Sequence, residues 1–203
     1  VRGYSKESMV SFTLYVHVGS GKAGSSAIPQ ALREHSEILE KQRIKYLGLM
    51  LERLDDASAP WQKSYGWPIF NKEKENNQPE LLSILSSAIE QLKANGLTSA
   101  IWSNESLFTQ FDLLNAVKSA GEKVGFNVKV ICYFRDHVSW ASSAYKQWGI
   151  KHKTYKGPIK PFRDWQNERG INFSRVAIRW RQIFEKDFII KNYNAEGNLI
   201  ENF

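Results

Sequence analysis

The chain has 203 residues and a formal net charge of +7, from 28 Lys and Arg against 21 Asp and Glu, with an isoelectric point near 9.4. Hydrophobic residues at 42%, aromatics at 13% and charged residues at 24% exclude a disordered or low-complexity chain and fit one globular domain over 1–203. The basic balance favours an anionic partner, whether nucleic acid, polyanionic glycan or phosphorylated cofactor, although lysines such as Lys72, Lys74 and Lys93 equally suit an ordinary solvated surface.

The N-terminal stretch, with Arg2, Lys6 and Glu7, lacks the apolar core of a signal peptide, and no run approaches the ~18–20 apolar residues of a membrane span. A cytoplasmic chain without stable membrane insertion is expected. Phe12, Leu14, Val16 and Val18 alternate with Ser11, Thr13, Tyr15 and His17, the period of a strand, until Gly19-Ser20-Gly21 breaks it. From Ile28 the period changes: Ile28, Ala31, Leu32, Ile38 and Leu39 predict one helix, with Pro29 tolerated in its first turn. A short strand over 44–47 follows, then an irregular stretch over 55–78 containing Pro60, Trp61, Trp67 and Pro68, too long for a passive connection and suited to holding substrate.

Leu81, Leu82, Leu85, Ala88, Ile89 and Leu92 mark a helix that Gly96 ends; 99–103 reads as a strand, and Phe111, Leu114, Val117 and Ala120 as a further helix. The nearly all-apolar run 128–134 predicts a strand covered on both faces, in which Cys132, the single cysteine, is buried and unreactive. A basic, aromatic segment over 151–165 leads to a helix around 176–184 and a closing strand near 188–191. Strands alternating with helices predict an α/β fold with a central, mainly parallel sheet flanked by helices in three layers.

A glycine loop between a strand and a helix lets main-chain N–H groups and the positive end of the helix dipole converge on an anion. That loop is Gly19-Ser20-Gly21-Lys22-Ala23-Gly24-Ser25-Ser26. Its outer glycines have the spacing of the nucleoside-triphosphatase loop, but Ser25 stands where that motif needs lysine, and the 128–134 strand is followed by Arg135 rather than a magnesium-holding carboxylate. The pattern predicts anion binding without a metal, with a plain tight turn as the alternative. Arg135 follows a buried strand, where ligands of open α/β sheets gather, and Ser143 lies about two turns along the next helix, within reach of the same phosphate. Arg135 equally suits neutralising a neighbouring carboxylate.

Together these stretches resemble the signature of sulfotransferases that use 3′-phosphoadenosine-5′-phosphosulfate (PAPS). In that family K-x-G-[ST]-[ST] after the first strand grips the 5′-phosphosulfate, and an Arg followed eight residues later by Ser holds the 3′-phosphate; Lys22-Ala23-Gly24-Ser25-Ser26 and Arg135 with Ser143 fit. His17-Val18-Gly19, Ser103-Asn104-Glu105 and Ser143-Ala144-Tyr145-Lys146-Gln147-Trp148 resemble bacterial members acting on saccharides. The resemblance departs at Ser25-Ser26, which replaces the more frequent Thr-Thr, and at His137, where many members have proline. Relatives continue beyond the position of Ile200-Glu201-Asn202-Phe203 into a final helix, which implies a truncated chain or a short member.

The resemblance implies a P-loop-like sulfotransferase fold. It further implies PAPS as donor, adenosine 3′,5′-bisphosphate as product, no metal, and a hydroxyl-bearing acceptor expected to be a saccharide. Lys22 would stabilise the leaving oxygen, and N–H groups from Gly21, Lys22, Ala23, Gly24, Ser25 and Ser26 would hold the phosphosulfate. The acceptor hydroxyl must lose its proton, and Glu105 is the first candidate base, with capping of the Phe111 helix region or pairing with a lysine as its alternative. His17 is the second candidate, or a satisfied core histidine. Lys151, Lys153, Lys156, Lys160 and Arg163, interleaved with Tyr155, Phe162 and Trp165, suit a saccharide or polyanion, or a solvated loop that Pro158 and Pro161 keep irregular. Trp61 and Trp67 suit either sugar stacking or burial. Competing readings are a magnesium-dependent nucleotide or small-molecule kinase, a degenerate sulfotransferase fold kept as a binding protein, and a basic nucleic-acid-binding module, for which the sequence holds no reader motif.

Overall fold

Phe12–His17 (β1), Ile44–Gly48 (β2), Ser99–Ser103 (β3), Phe126–Phe134 (β4) and Phe188–Asn192 (β5) pair into one sheet in the order β2-β3-β1-β4-β5, and every pairing is parallel. The computed structural model describes residues 12–24, 26–153, 155–169, 172–195 and 203. Ser11, Ser25, the N-terminal charges and Ile200 to Asn202 lie outside them.

Ala27–Glu34 (α1) and Ser36–Lys41 (α2) connect β1 to β2. Trp67–Lys72 (α3) and Lys74–Ala94 (α4) connect β2 to β3, and Phe111–Val124 (α5) connects β3 to β4. His137–Ala144 (α6), Phe162–Arg169 (α7) and Phe173–Phe184 (α8) lie between β4 and β5. The step from β1 to β2 crosses the sheet in one direction and the other three steps run back. Right-handed crossovers therefore put α1 and α2 on one face and α4, α5 and α8 on the other. The packing agrees, since α5 contacts both α4 and α8 while α1 and α2 contact β2. The result is the expected three-layer α/β architecture.

This topology positions the site. β1 sends its connection to one face while both neighbours, β3 and β4, send theirs to the other, so the carboxyl end of β1 is flanked by a crevice on each side.

Alternation along β1 matches the two cores. Phe12, Leu14, Val16 and Val18 face a large cluster with Trp102, Val130, Cys132, Trp140 and Trp180. Tyr15 faces a smaller one with Ile28, Leu32, Tyr46, Ile131 and Tyr133. Burial pushes the Tyr46 hydroxyl up to about 12 and the Cys132 thiol higher still above its ordinary range, so the cysteine is an inert core residue. Among the described residues no helix is long and apolar enough to cross a membrane.

Four local expectations change. The helix predicted from Ile28 to Leu39 breaks at His35, and Ile38 is exposed, because its position does not continue the stripe of Ile28 and Leu32. The irregular stretch ends early: Pro68 sits in the first turn of α3, and α4 begins at Lys74 with Pro79 inside it. Helix α7 starts directly after Pro161, a residue that blocks a helix interior but suits its entrance. Trp165, expected in a ligand-gripping or solvated segment, belongs to the core at 2% exposure; of the two readings of Trp61, burial holds, at 1% exposure with Nε1 donating to Glu80 Oε2 at 2.7 Å.

Candidate functional site

The loop from Gly19 to Ser26 leaves β1 between two neighbours that fix its start. Asn104 N–H donates to His17 O at 3.0 Å and Val18 N–H to Ile131 O at 2.9 Å. Buried Ser20 donates its hydroxyl to Tyr133 O at 3.1 Å, and Ala23 N–H returns to Ser20 O at 3.0 Å. Lys22 (φ 71°) and Gly24 (φ 84°) then take left-handed conformations. For Lys22 that costs about 1–3 kcal/mol, a strain that surrounding contacts must hold in place. The N–H groups of Gly24, Ser26 and Ala27 donate to no group among the described residues, which leaves donors at the entrance of α1 for an anion.

The contacts that hold the strain come from the segment after β4. Trp140 Nε1 donates to Gly21 O at 2.8 Å, Arg135 Nη1 to Lys22 O at 3.3 Å, and Lys22 Nζ to Gln147 Oε1. A Cβ on Gly21 would stand 3.3 Å from the Trp148 ring, a tight contact that the ring would have to relieve by a few tenths of an ångström, and 3.8 Å from Glu105 Oε2. Gln147 and Trp148 reach the loop because α6 runs into a π-helical segment, Tyr145–Lys151, whose wider turn changes the direction of side chains beyond Ala144. Gly149 permits that turn by packing against the Tyr145 ring.

Each crevice beside β1 holds a cavity. On the β4 side, a cavity of about 340 Å³ is lined by Lys22, Ser143, Lys146, Gln147, Lys151 and His152, a strongly cationic wall. On the β3 side, one of about 490 Å³ includes Ser26, Arg33, Tyr65, Trp67, Asn104 and Glu105. Arg135 lines a further cavity of about 450 Å³ with Asp136, His137 and Asn192. Its guanidinium lies 5.2 Å from the Tyr193 ring centre. It forms no ion pair among the described residues, and its buried Nε has no partner there. Arg135 and Ser143 thus line different cavities instead of one shared phosphate site; Lys22 lies on the cavity of Ser143, and its carbonyl accepts from Arg135. Asp136 accepts from Ser139 N–H at 2.8 Å, and hydrogen bonds from Ser139 hold its carboxyl below the ordinary range.

The two candidate bases differ sharply. Glu105 is exposed at the start of a 3₁₀ segment, Glu105–Thr109. Asn104 caps that segment, its Oδ1 accepting from Ser106 N–H at 2.8 Å while its Nδ2 donates to Leu49 O at 2.7 Å. Helix α5 begins after Gln110, so Glu105 does not cap it, and Glu105 forms no ion pair among the described residues. His17 is 1% exposed, with Nδ1 2.8 Å from Ser103 Oγ and its ring edge-on to Tyr133 and Phe203. Burial lowers its pKa to about 3, so the imidazole is neutral and a poor proton acceptor. Of the two side chains, Glu105 is open to solvent on a cavity wall and His17 is enclosed.

The basic segment is folded rather than loose. Tyr155 Oη bridges Gly149 O and Lys160 N–H, both at 3.1 Å, and Lys153 and Lys160 lie over its ring. Lys160 also pairs with Glu168 at 2.7 Å. Lys151 remains on the cationic cavity, while Arg163 and Lys156 are exposed. Among the described residues no group of three or more His, Cys, Asp or Glu could hold a metal ion. Sequence reasoning assigned no role to Trp140, Gln147 or Trp148, since their contacts join positions more than 110 residues apart; only Gly149 hints at the irregular turn. Ser25 lies outside the described residues.

No protein-family model matches the chain, and no curated protein matches it significantly.

Proposed function

We propose that this chain is a PAPS-dependent sulfotransferase, moving a sulfuryl group to a hydroxyl of a saccharide acceptor. The observation that carries the reading is the strained loop itself: Lys22 held in a left-handed conformation between Arg135 and Gln147, beside unengaged N–H donors and a cationic cavity that includes Ser143. This donor set suits two anionic groups on one ligand, the 5′-phosphosulfate on the loop and a 3′-phosphate toward Arg135 or Ser143. The bound donor supplies an activated sulfuryl group and a bisphosphate leaving group.

The chain's own residues do the rest. The unengaged N–H groups of Gly24, Ser26 and Ala27 orient the anion, that of Ala23 being spent on Ser20 O, and the ammonium of Lys22 offsets charge on the departing oxygen. Glu105, on the opposite side of the loop, takes the acceptor proton as the new oxygen–sulfur bond forms. In-line transfer needs donor and acceptor on opposite sides of the reacting centre, and the two crevices flanking β1 supply separate approaches.

Isothermal titration with adenosine 3′,5′-bisphosphate, beside ATP plus magnesium, tests this. Metal-independent bisphosphate binding, weakened at least tenfold by Lys22→Ala and by Arg135→Ala, is expected. No bisphosphate binding by the unmodified protein would sink the reading, and metal-dependent ATP binding in its place would favour a kinase.

A further inference from the structure

The cavity on the β3 side of the loop has a wall that the donor reading does not use. Tyr65 is 91% exposed, far more than a tyrosine normally leaves in water, and it shares that cavity with Trp67, Arg33, Glu34 and Glu105. Exposure of this kind is ordinary on a floppy loop, but this loop is braced. The Glu52 carboxylate accepts from Leu49 N–H at 3.1 Å, Met50 N–H at 2.6 Å and the Ser64 hydroxyl at 3.1 Å. Gln62 Oε1 accepts from Ser58 and Ala59 N–H at 3.1 and 3.0 Å. Gly66 donates to Lys63 O at 2.7 Å and lies so close to the Trp61 carbonyl that a Cβ would stand 2.6 Å from its carbon. Trp67 is held in turn by stacking on Phe70, with ring centres 5.5 Å apart.

The Trp67 ring is therefore fixed beside the candidate base, and the main chain that carries the exposed Tyr65 ring is braced, which reduces the ordering left to do on binding. The cavity, at about 490 Å³, has the volume of small-molecule sites, about 300–1,000 Å³. Flat apolar faces rimmed by hydrogen-bonding groups suit a pyranose, whose C–H face packs on a ring while its hydroxyls point to the rim. Charge narrows the class. The lining sets one cation, Arg33, against two carboxylates, Glu34 and Glu105, and Gln30 Nε2 holds Glu34 at 2.8 Å. A uronate or sulfated unit would meet net repulsion here, although the chain as a whole is basic.

We infer that the Tyr65–Trp67 wall is the acceptor subsite and takes an uncharged pyranose unit, presenting its hydroxyl to Glu105. The inference deepens the sulfotransferase reading and rests on it only for the presence of a donor across the loop.

The test titrates the full chain with cellohexaose, maltohexaose and a hyaluronan hexasaccharide, read by calorimetry and by ¹H–¹⁵N shifts of residues 64–67 and the Trp67 indole. At least one neutral hexasaccharide is expected to bind and shift these signals, the uronate-bearing probe at least tenfold more weakly. Tyr65→Ala is expected to weaken binding about tenfold and Tyr65→Phe to restore it. Absence of binding by both neutral probes, preference for the uronate, or unchanged affinity in Tyr65→Ala would overturn the inference. Bisphosphate titration of the same samples separates the two readings. Saccharide binding without bisphosphate binding would remove the donor reading alone, and the reverse would remove the subsite alone.

Discussion

Replacing Gly149 with alanine tests whether the π-helical turn sets the geometry of the loop. The added Cβ would stand 2.8 Å from Tyr145 Cε2, closer still to Cδ2, and 3.3 Å from Trp165 Cδ1, where carbon atoms prefer about 3.5–4.0 Å. The Tyr145 ring has little freedom to yield. Its hydroxyl donates to Lys160 O at 2.5 Å, and its edges meet Phe162 and Trp165 with ring centres 5.3 and 5.4 Å away. Overpacking of a filled site costs about 1–3 kcal/mol, and a lost hydrogen bond adds about 0.5–1.5 kcal/mol. A total near 3 kcal/mol corresponds to a Tm lower by about 6–12 °C for a domain of this size. Because Gln147 and Trp148 belong to the same turn, bisphosphate affinity should fall as well. Calorimetry and titration of Gly149→Ala, Tyr145→Leu and the double variant measure both effects. The double variant should be little worse than Tyr145→Leu, since the leucine removes the ring that clashes. A loss below about 0.5 kcal/mol in Gly149→Ala, or purely additive effects, would show that the Tyr145 ring does not clash with the added methyl.

Other expectations follow from the same geometry. His17 is neutral when folded, with a pKa of about 3 against 6.5 for an ordinary histidine. The unfolded chain therefore binds a proton that the folded chain refuses, and stability falls as pH drops from about 6.5 toward 3, by up to about 1.4 kcal/mol per pH unit. Denaturant unfolding at pH 7.5 and 5.0 should show that slope, and His17→Asn should flatten it. Asn104→Ala removes the link from Leu49 O to the 3₁₀ segment, and urea titration should show a loss of about 1–3 kcal/mol. Glu105→Gln should leave bisphosphate affinity unchanged while lowering sulfuryl transfer about 10²–10⁴-fold, and an unchanged rate would remove Glu105 as the base.

Much of this molecule is legible before folding. Alternation at Phe12, Leu14 and Val16, the apolar run 128–134 and the glycine stop at Gly96 are local signals, and the strands and most helices follow from them. The Gly19–Ser26 loop is legible for the same reason, because glycine after a strand marks a place where main chain must turn tightly. Local signals fail where a neighbour distant in sequence decides. Nothing in the spacing of Tyr145 and Gly149 states that a π turn will aim Gln147 at Lys22. Trp61, Trp67 and Trp165 look alike in composition, yet packing buries two and leaves Trp67 on a cavity wall. His17 and Glu105 are both titratable groups near strand ends, and only the tertiary structure makes one a buried neutral imidazole and the other an exposed carboxylate. Periodicity reports which face of an element is apolar, whereas burial, pKa and reach depend on what the remainder of the chain brings against it.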